Sequence, residues 1–251
     1  MKDKEKEDVL KKFYDSFRNM EGHFHILEHR VPVEQQLLYF KYSGKVRRDL
    51  REFFDDEYDE FEKDLGDPDL LIVRKQDILS VLAVSKNVRA YRIIERYVQN
   101  PDEELVNWAN MALMESRITL ESEFLGEKQI YISTGLGGKG GSIRFYVLIL
   151  SAMKKTLEEY QVEVIEKEFM YFLSKNNCEV ERLTIGDKHV ELVVLMPILT
   201  DIKKLLLDVI KECNLYGDFL SELFSVTNVK ELTKEEIEQI VEKDEDHQTS
   251  S

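Results

Sequence analysis

Apolar residues recur every three to four positions through the first half of the chain, and every second position through much of the second half. Val9, Leu10, Phe13, Phe17 and Met20 make one stripe, which predicts a helix ended by Gly22. A second helix is expected from near Val33, with Leu37, Leu38, Phe40 and Tyr42, pausing at Ser43-Gly44. A third runs from Val46 to Phe61 through Leu50, Phe53, Phe54 and Tyr58, and Gly66-Asp67-Pro68 breaks the pattern.

Beyond Gly126 the period becomes two. Ile130 and Ile132 alternate with Tyr131 and Ser133, and Ile143, Phe145, Val147 and Ile149 share one face of a second strand. Thr156 and Glu159 form a capping box for a helix carrying Leu157, Tyr160, Val164, Ile165, Phe169, Phe172 and Leu173. Strands 178–185 and 189–196 flank Gly186-Asp187, a hairpin turn, and Thr200 caps a helix through Ile202, Leu205, Leu206, Val209 and Ile210. Residues 218–246 are expected to add a short helix, a loop and a last helix capped by Thr233 and Glu236, before a disordered tail.

The predicted order is ββαββα. Moving its first strand to the end gives the ferredoxin-like order βαββαβ. The expected fold class is therefore α+β, an N-terminal helical region followed by a permuted ferredoxin-like antiparallel sheet. The expected divisions are a helical region over 1–126, a sheet domain over 127–217 and an acidic C-terminal part over 218–251.

Residues 77–116, DILSVLAVSKNVRAYRIIERYVQNPDEELVNWANMALMES, carry a more particular pattern. A helix rich in alanine and branched aliphatics is followed by a second, then by Asn100-Pro101-Asp102 and a third helix with Val106, Ala109, Ala112 and Leu113. Asn100 suits a cap, Pro101 the first helical turn, and Asp102, Glu103 and Glu104 the positive helix end. This stretch resembles a HEAT-type helical repeat. The resemblance implies a helical-repeat surface that binds proteins.

Charge adds a second layer. The net charge is −15, and it is concentrated. Residues 55–69 hold nine acids and one lysine, and residues 218–246 hold ten acids and three lysines. This excess argues against a nonspecific nucleic-acid binder and leaves a local basic face as the way such binding would arise. The stretch MKDKEKED is too polar and acidic for a signal peptide, no apolar run is long enough to span a bilayer, and Cys178 and Cys213 are too few for a disulfide framework. The expectation is a soluble, reduced, cytoplasmic protein.

Five of the eleven glycines lie in GLGGKGG, residues 135–141. Gly137, Gly138, Lys139 and Gly140, with Arg144 beyond them, superficially resemble the glycine-rich phosphate loop of ATPases. That motif needs a closing Lys-Ser/Thr and a following helix. Here Ile143-Arg144-Phe145-Tyr146-Val147 reads as a strand, so a hairpin connection competes with a loop that orders on a phosphate. His23, His25 and His29 lie close in sequence without a specified fourth ligand, and no metal site is assigned. Arg89, Arg92 and Arg96 share one helix face, to be met either by a partner or by Glu95 and the 55–69 acids. Lys41, Lys45, Arg47, Arg48 and Arg51 form a basic patch opposed only by Asp49.

No catalytic motif or cofactor signature appears. The expected function is a non-catalytic scaffold or adaptor with a protein partner, using Arg89, Arg92, Arg96, Arg47 and Arg48. The alternative is a ligand- or nucleotide-binding regulatory module built on the glycine-rich loop.

Overall fold

The protein is described here by a computed structural model covering residues 23–126, 129–152 and 155–248. The helix expected at Val9–Met20 and the end of the tail lie outside the described residues. The fold is mixed α and β, and it divides into two compact units between Gly137 and Gly138.

The first unit holds β1 (His23–Ile26), α1 (Val33–Arg48), α2 (Asp55–Gly66), α3 (Ile72–Val84), α4 (Val88–Tyr97), α5 (Val106–Leu125) and β2 (Gln129–Ile132). The pause expected at Ser43-Gly44 does not occur. Helix α1 buries Gln36, Tyr39 and Ser43, one face at helical spacing, and this packing carries the backbone through the glycine. The Gln36 amide donates to the Val31 and Thr134 carbonyls at 2.7 and 3.1 Å. The helix expected to continue to Phe61 is instead split, with α2 starting afresh at Asp55.

Asn87 caps α4 by accepting from the Arg89 and Ala90 amides. Asn100 does not cap the next helix. Asp102 precedes a short 3-10 turn, and its carboxylate accepts from the buried Lys75 ammonium at 2.7 Å. One hydrophobic core is shared by the five helices, through Tyr39, Tyr58, Ile78, Leu82, Ile93 and Ala112 among others, with Leu27 and Val31 of the segment after β1. Each such aliphatic side chain contributes about 1.5–3 kcal/mol by leaving water.

β2 does not pair with residues 143–150 as the alternation suggested. It runs parallel to β1, with Phe24 opposite Ile130 and Ile26 opposite Ile132. The chain then turns back at Gly137, whose φ is +67°. A side-chain Cβ there would stand 2.5 Å from the Glu28 carbonyl and 2.8 Å from that of His29, so only glycine fits.

The second unit holds β3 (Gly138–Lys139), β4 (Ser142–Ser151), α6 (Glu159–Lys175), β5 (Glu179–Ile185), β6 (His189–Pro197), α7 (Ile202–Asn214), β7 (Leu220–Thr227) and α8 (Lys234–Gln248). Its long strands lie in the order β7-β4-β6-β5, all antiparallel, with β3 hairpinned onto the start of β4. The strand that completes the sheet is thus β7, where a short helix was expected. The permutation falls away, and the chain order from β4 onward is βαββαβ. Helix α6 packs along β5, α7 along β7, and the two helices against each other, which places both on one face of the sheet. Helix α6 starts on a Glu158–Gln161 capping box, not at Thr156, and the Asp201 carboxylate rather than Thr200 caps α7. The Thr233–Glu236 box is formed as the sequence predicts.

Candidate functional site

Because Gln36, Tyr39 and Ser43 point α1 into the core, the opposite side faces out. Lys41, Lys45 and Arg48 fall there at i, i+4 and i+7 and are exposed. Among the described residues their side chains make no ion pair or hydrogen bond. Glu34 near the helix start and Lys45, Arg47 and Arg48 in its last turn suit the helix dipole.

The other arginine row is spent within the chain. Asp55, Asp59 and Glu62 form an acidic stripe on α2, and α4 sets its arginines against it. Arg89 reaches Asp59 and lies 3.5 Å from Asp55, and the Arg96 Nε donates to Glu62 at 2.7 Å. Arg92 donates to Glu95 of its own helix at 2.6 Å. In a chain with fifty acids, these three cations are neutralised internally and the α1 stripe is left bare.

Beside that stripe lie two adjoining cavities of about 560 and 620 Å3. Arg47, Lys86 and Thr119 line both. The first is also lined by Phe40, Ser43, Gly44, Glu115 and Tyr131, the second by Arg51, Phe53 and Asn87. Arg47 is aimed by a buried carboxylate. Glu115 accepts from the Tyr39 hydroxyl at 2.7 Å, from Ser43 Oγ at 3.3 Å and from Arg47 Nη2 at 2.6 Å. Complete burial, then the Glu115 charge, pushes the Tyr39 phenol well above its usual range, so it stays a donor. The Arg47 side chain is still 58% exposed, which leaves the rest of its fork facing outward.

Lys86, in the left-handed region at φ +53° between α3 and α4, pairs with Glu123 at 2.8 Å. Arg51 lies over the Phe53 ring at 4.3 Å and grips Glu57. The Arg51 bond and the Phe54 amide hold the Glu57 carboxyl at about 2. The sequence had marked Arg47, Arg48 and Arg51, but Lys86, Phe40 and Tyr131 were missed as neighbours of that patch. Only the fold brings the turn after α3 and strand β2 against α1.

The glycine-rich loop is a tight hairpin. Gly140 and Gly141, both at positive φ, form the two-residue tip between Lys139 and Ser142. Lys139 donates to Glu179 at 3.0 Å, and the nine-tenths buried Arg144 donates to Glu181 at 2.7 Å. No helix follows the loop, so no helix N-terminus presents amides to a phosphate.

The sheet carries a further polar group. The Tyr146 hydroxyl donates to Glu191 at 2.8 Å, and His189 Nε2 lies 3.6 Å from the same carboxylate. Tyr146 is only 1% exposed, and burial followed by the Glu191 bond raises its phenol well above its usual range. A buried phenol so placed holds the sheet together and is a poor nucleophile. His25 lies on β1, bonded to Gln129 and 3.0 Å from Glu121, and not on a helix with His29. Among the described residues, no three histidine, cysteine or acidic side chains gather as a metal would require. Cys178 and Cys213 are free and buried, their thiols pushed up by burial to about 11 and about 12. Among the described residues, no helix is long and apolar enough to cross a membrane.

No family model matches the chain, and no curated protein matches it. Among solved structures, it is similar to a putative transposase from Deinococcus radiodurans R1, at 16% identity and a TM-score of 0.37, over 42% of this chain and 93% of that one. It is also similar to a REP-associated tyrosine transposase bound to a REP hairpin, at 13% identity and a TM-score of 0.31, over 39% of this chain and 62% of that one. Both are transposases and neither is a helical-repeat protein, where a HEAT-type resemblance was expected. The shared core agrees, since the helices of 77–116 pack with α1 and α2 into one cluster instead of standing as a stackable pair. The structures found similar are transposases, where a scaffold with a protein partner was expected, and that expectation is not carried further; the module on the glycine loop is set aside by the loop itself, a hairpin whose Lys139 is paired with Glu179.

Proposed function

We propose that the first unit binds nucleic acid through the outward side of α1 and the adjoining cavities. The observation that carries this is the contrast between two cation rows. Arg89, Arg92 and Arg96 are each matched by an acid, whereas Lys41, Lys45 and Arg48 are matched by none among the described residues. An exposed, unpaired row costs self-repulsion that a polyphosphate relieves. Arg47, Arg51 and Lys86 border the cavities beside Phe40, Phe53 and Tyr131; each is held by a carboxylate, and the 58% exposed Arg47 keeps the outward part of its fork for a phosphate.

The test is fluorescence anisotropy with labelled oligonucleotides of DNA and RNA, single-stranded, hairpin and duplex. The triple variant Lys41→Glu, Lys45→Glu and Arg48→Glu should lose affinity by about 100-fold or more at low salt. Arg92→Gln, whose cation is already paired, should bind as the parent does. Equal affinity in the triple variant sinks the proposal.

We also read the second unit as ferredoxin-like in its unpermuted form, from the βαββαβ order and the β7-β4-β6-β5 sheet. The two buried, free thiols support a reducing compartment such as the cytoplasm.

A further inference from the structure

Gly44 sits inside α1, where glycine weakens a helix relative to alanine. Nothing within the described fold asks for it. A Cβ built there meets no atom within 4 Å, and its φ is not in the left-handed region. The same residue lines the first cavity, with Phe40 one turn before it and Arg47 almost one turn after. Met114 and Ile118 of α5 and Tyr131 of β2 also line this cavity. Its volume, about 560 Å3, lies in the ordinary range of small-ligand sites, roughly 300–1,000 Å3. A helix that bears an unneeded glycine at the wall of such a cavity is open to close approach from outside.

We propose that this cavity receives one unpaired nucleotide of the bound strand, its base lying against the bare backbone at Gly44. This rests on the reading of α1 as a nucleic-acid surface and adds to it a preference for unpaired bases. The Phe40 ring, 42% exposed, offers a stacking face beside Gly44. The outward part of the Arg47 fork meets the phosphate, while Glu115 holds the other part. The two carboxylates in the lining set the orientation. Glu115 is compensated by three donors and Glu123 by Lys86, so both tolerate a base amino group nearby and repel a phosphate. A base held in a duplex cannot enter without leaving its stack, so single strands and hairpin loops bind more tightly than blunt duplex.

Anisotropy with a single-stranded oligonucleotide and its duplex tests this on the full chain. Gly44→Leu fills the approach. It should lower single-strand affinity by about tenfold or more, the scale of one lost stacking contact, and so remove most of the preference over duplex. Phe40→Ala should act in the same direction by a comparable factor. Gly44→Ala should raise the thermal midpoint followed by Trp108 fluorescence, which shows that the helix accepts a side chain there. If the parent shows no preference for single strands, or Gly44→Leu and Phe40→Ala both keep it, the inference is wrong. The two ideas fail separately. Loss of both affinities in the triple charge reversal with an unchanged preference in Gly44→Leu upholds the surface and removes the cavity. Full affinity in the triple reversal removes the surface itself.

Discussion

Asp102→Ala should be among the most damaging single changes in the first unit. Lys75 is 2% exposed, and its ammonium donates to Asp102 Oδ2 at 2.7 Å; the Tyr97 hydroxyl donates to the same oxygen. Removing the carboxylate strands a buried cation, a loss of about 3–5 kcal/mol. That is a large part of a domain stability of ~5–15 kcal/mol. The single tryptophan, Trp108, lies on α5 with its Nε1 bonded to Ser80 at 3.0 Å, so its fluorescence follows this unit. With a urea dependence of about 2 kcal/mol per molar, the midpoint should fall by about 2 M. Replacing the pair together, Lys75→Met with Asp102→Leu, should recover most of the loss, since no charge is then left buried. A fall under about 0.5 M for Asp102→Ala would refute the reasoning.

The Lys75 bond, then that of Tyr97, holds the Asp102 carboxyl below its ordinary 3.8. A carboxylate lowered on folding lends stability above its unfolded pKa and loses it as the pH falls toward the folded one; the parent should lose this share below about pH 4, and Asp102→Ala should lack that limb in a pH series of urea midpoints. Gly137→Ala should destabilise the first unit by about 1–3 kcal/mol or more, the combined cost of a left-handed alanine and a clash with the Glu28 carbonyl, read as a lower Trp108 midpoint. Gly44→Ala, in the same unit, should move it the other way by about 0.5–1 kcal/mol. Cys178 and Cys213 should react with a disulfide reagent at pH 8 only slowly in the native protein and fully in urea; fast native reaction would contradict their burial and raised thiols.

Much of the sheet could be read from its branched and aromatic runs, since Ile143–Ile149 of β4 and Leu192–Met196 of β6 are buried on both faces. β7 was misread. In Leu220–Thr227 only Leu220 is fully buried, and Leu223 is 80% exposed, so the strand draws on the free edge of β4 more than on its own pattern. β1 was hidden for a related reason. Four residues, His23–Ile26, become a strand only beside β2, more than a hundred positions away. Ser43-Gly44 misled in the opposite sense, since local propensity asked for a break and the burial of Tyr39 and Ser43 overrode it. The basic patch on α1 was visible as a run of letters. Which cations stay unpaired was not, because that depended on how α2 lies against α4.

The most direct test of the central claim is the salt dependence of oligonucleotide binding. Each cation that displaces a counterion from a single strand contributes about 0.7 to the slope of log affinity against log salt. Neutralising Lys41, Lys45 and Arg48 to glutamine should therefore make the slope shallower by about 2, while Arg92→Gln leaves it unchanged. A triple variant with the parent's slope would contradict the account.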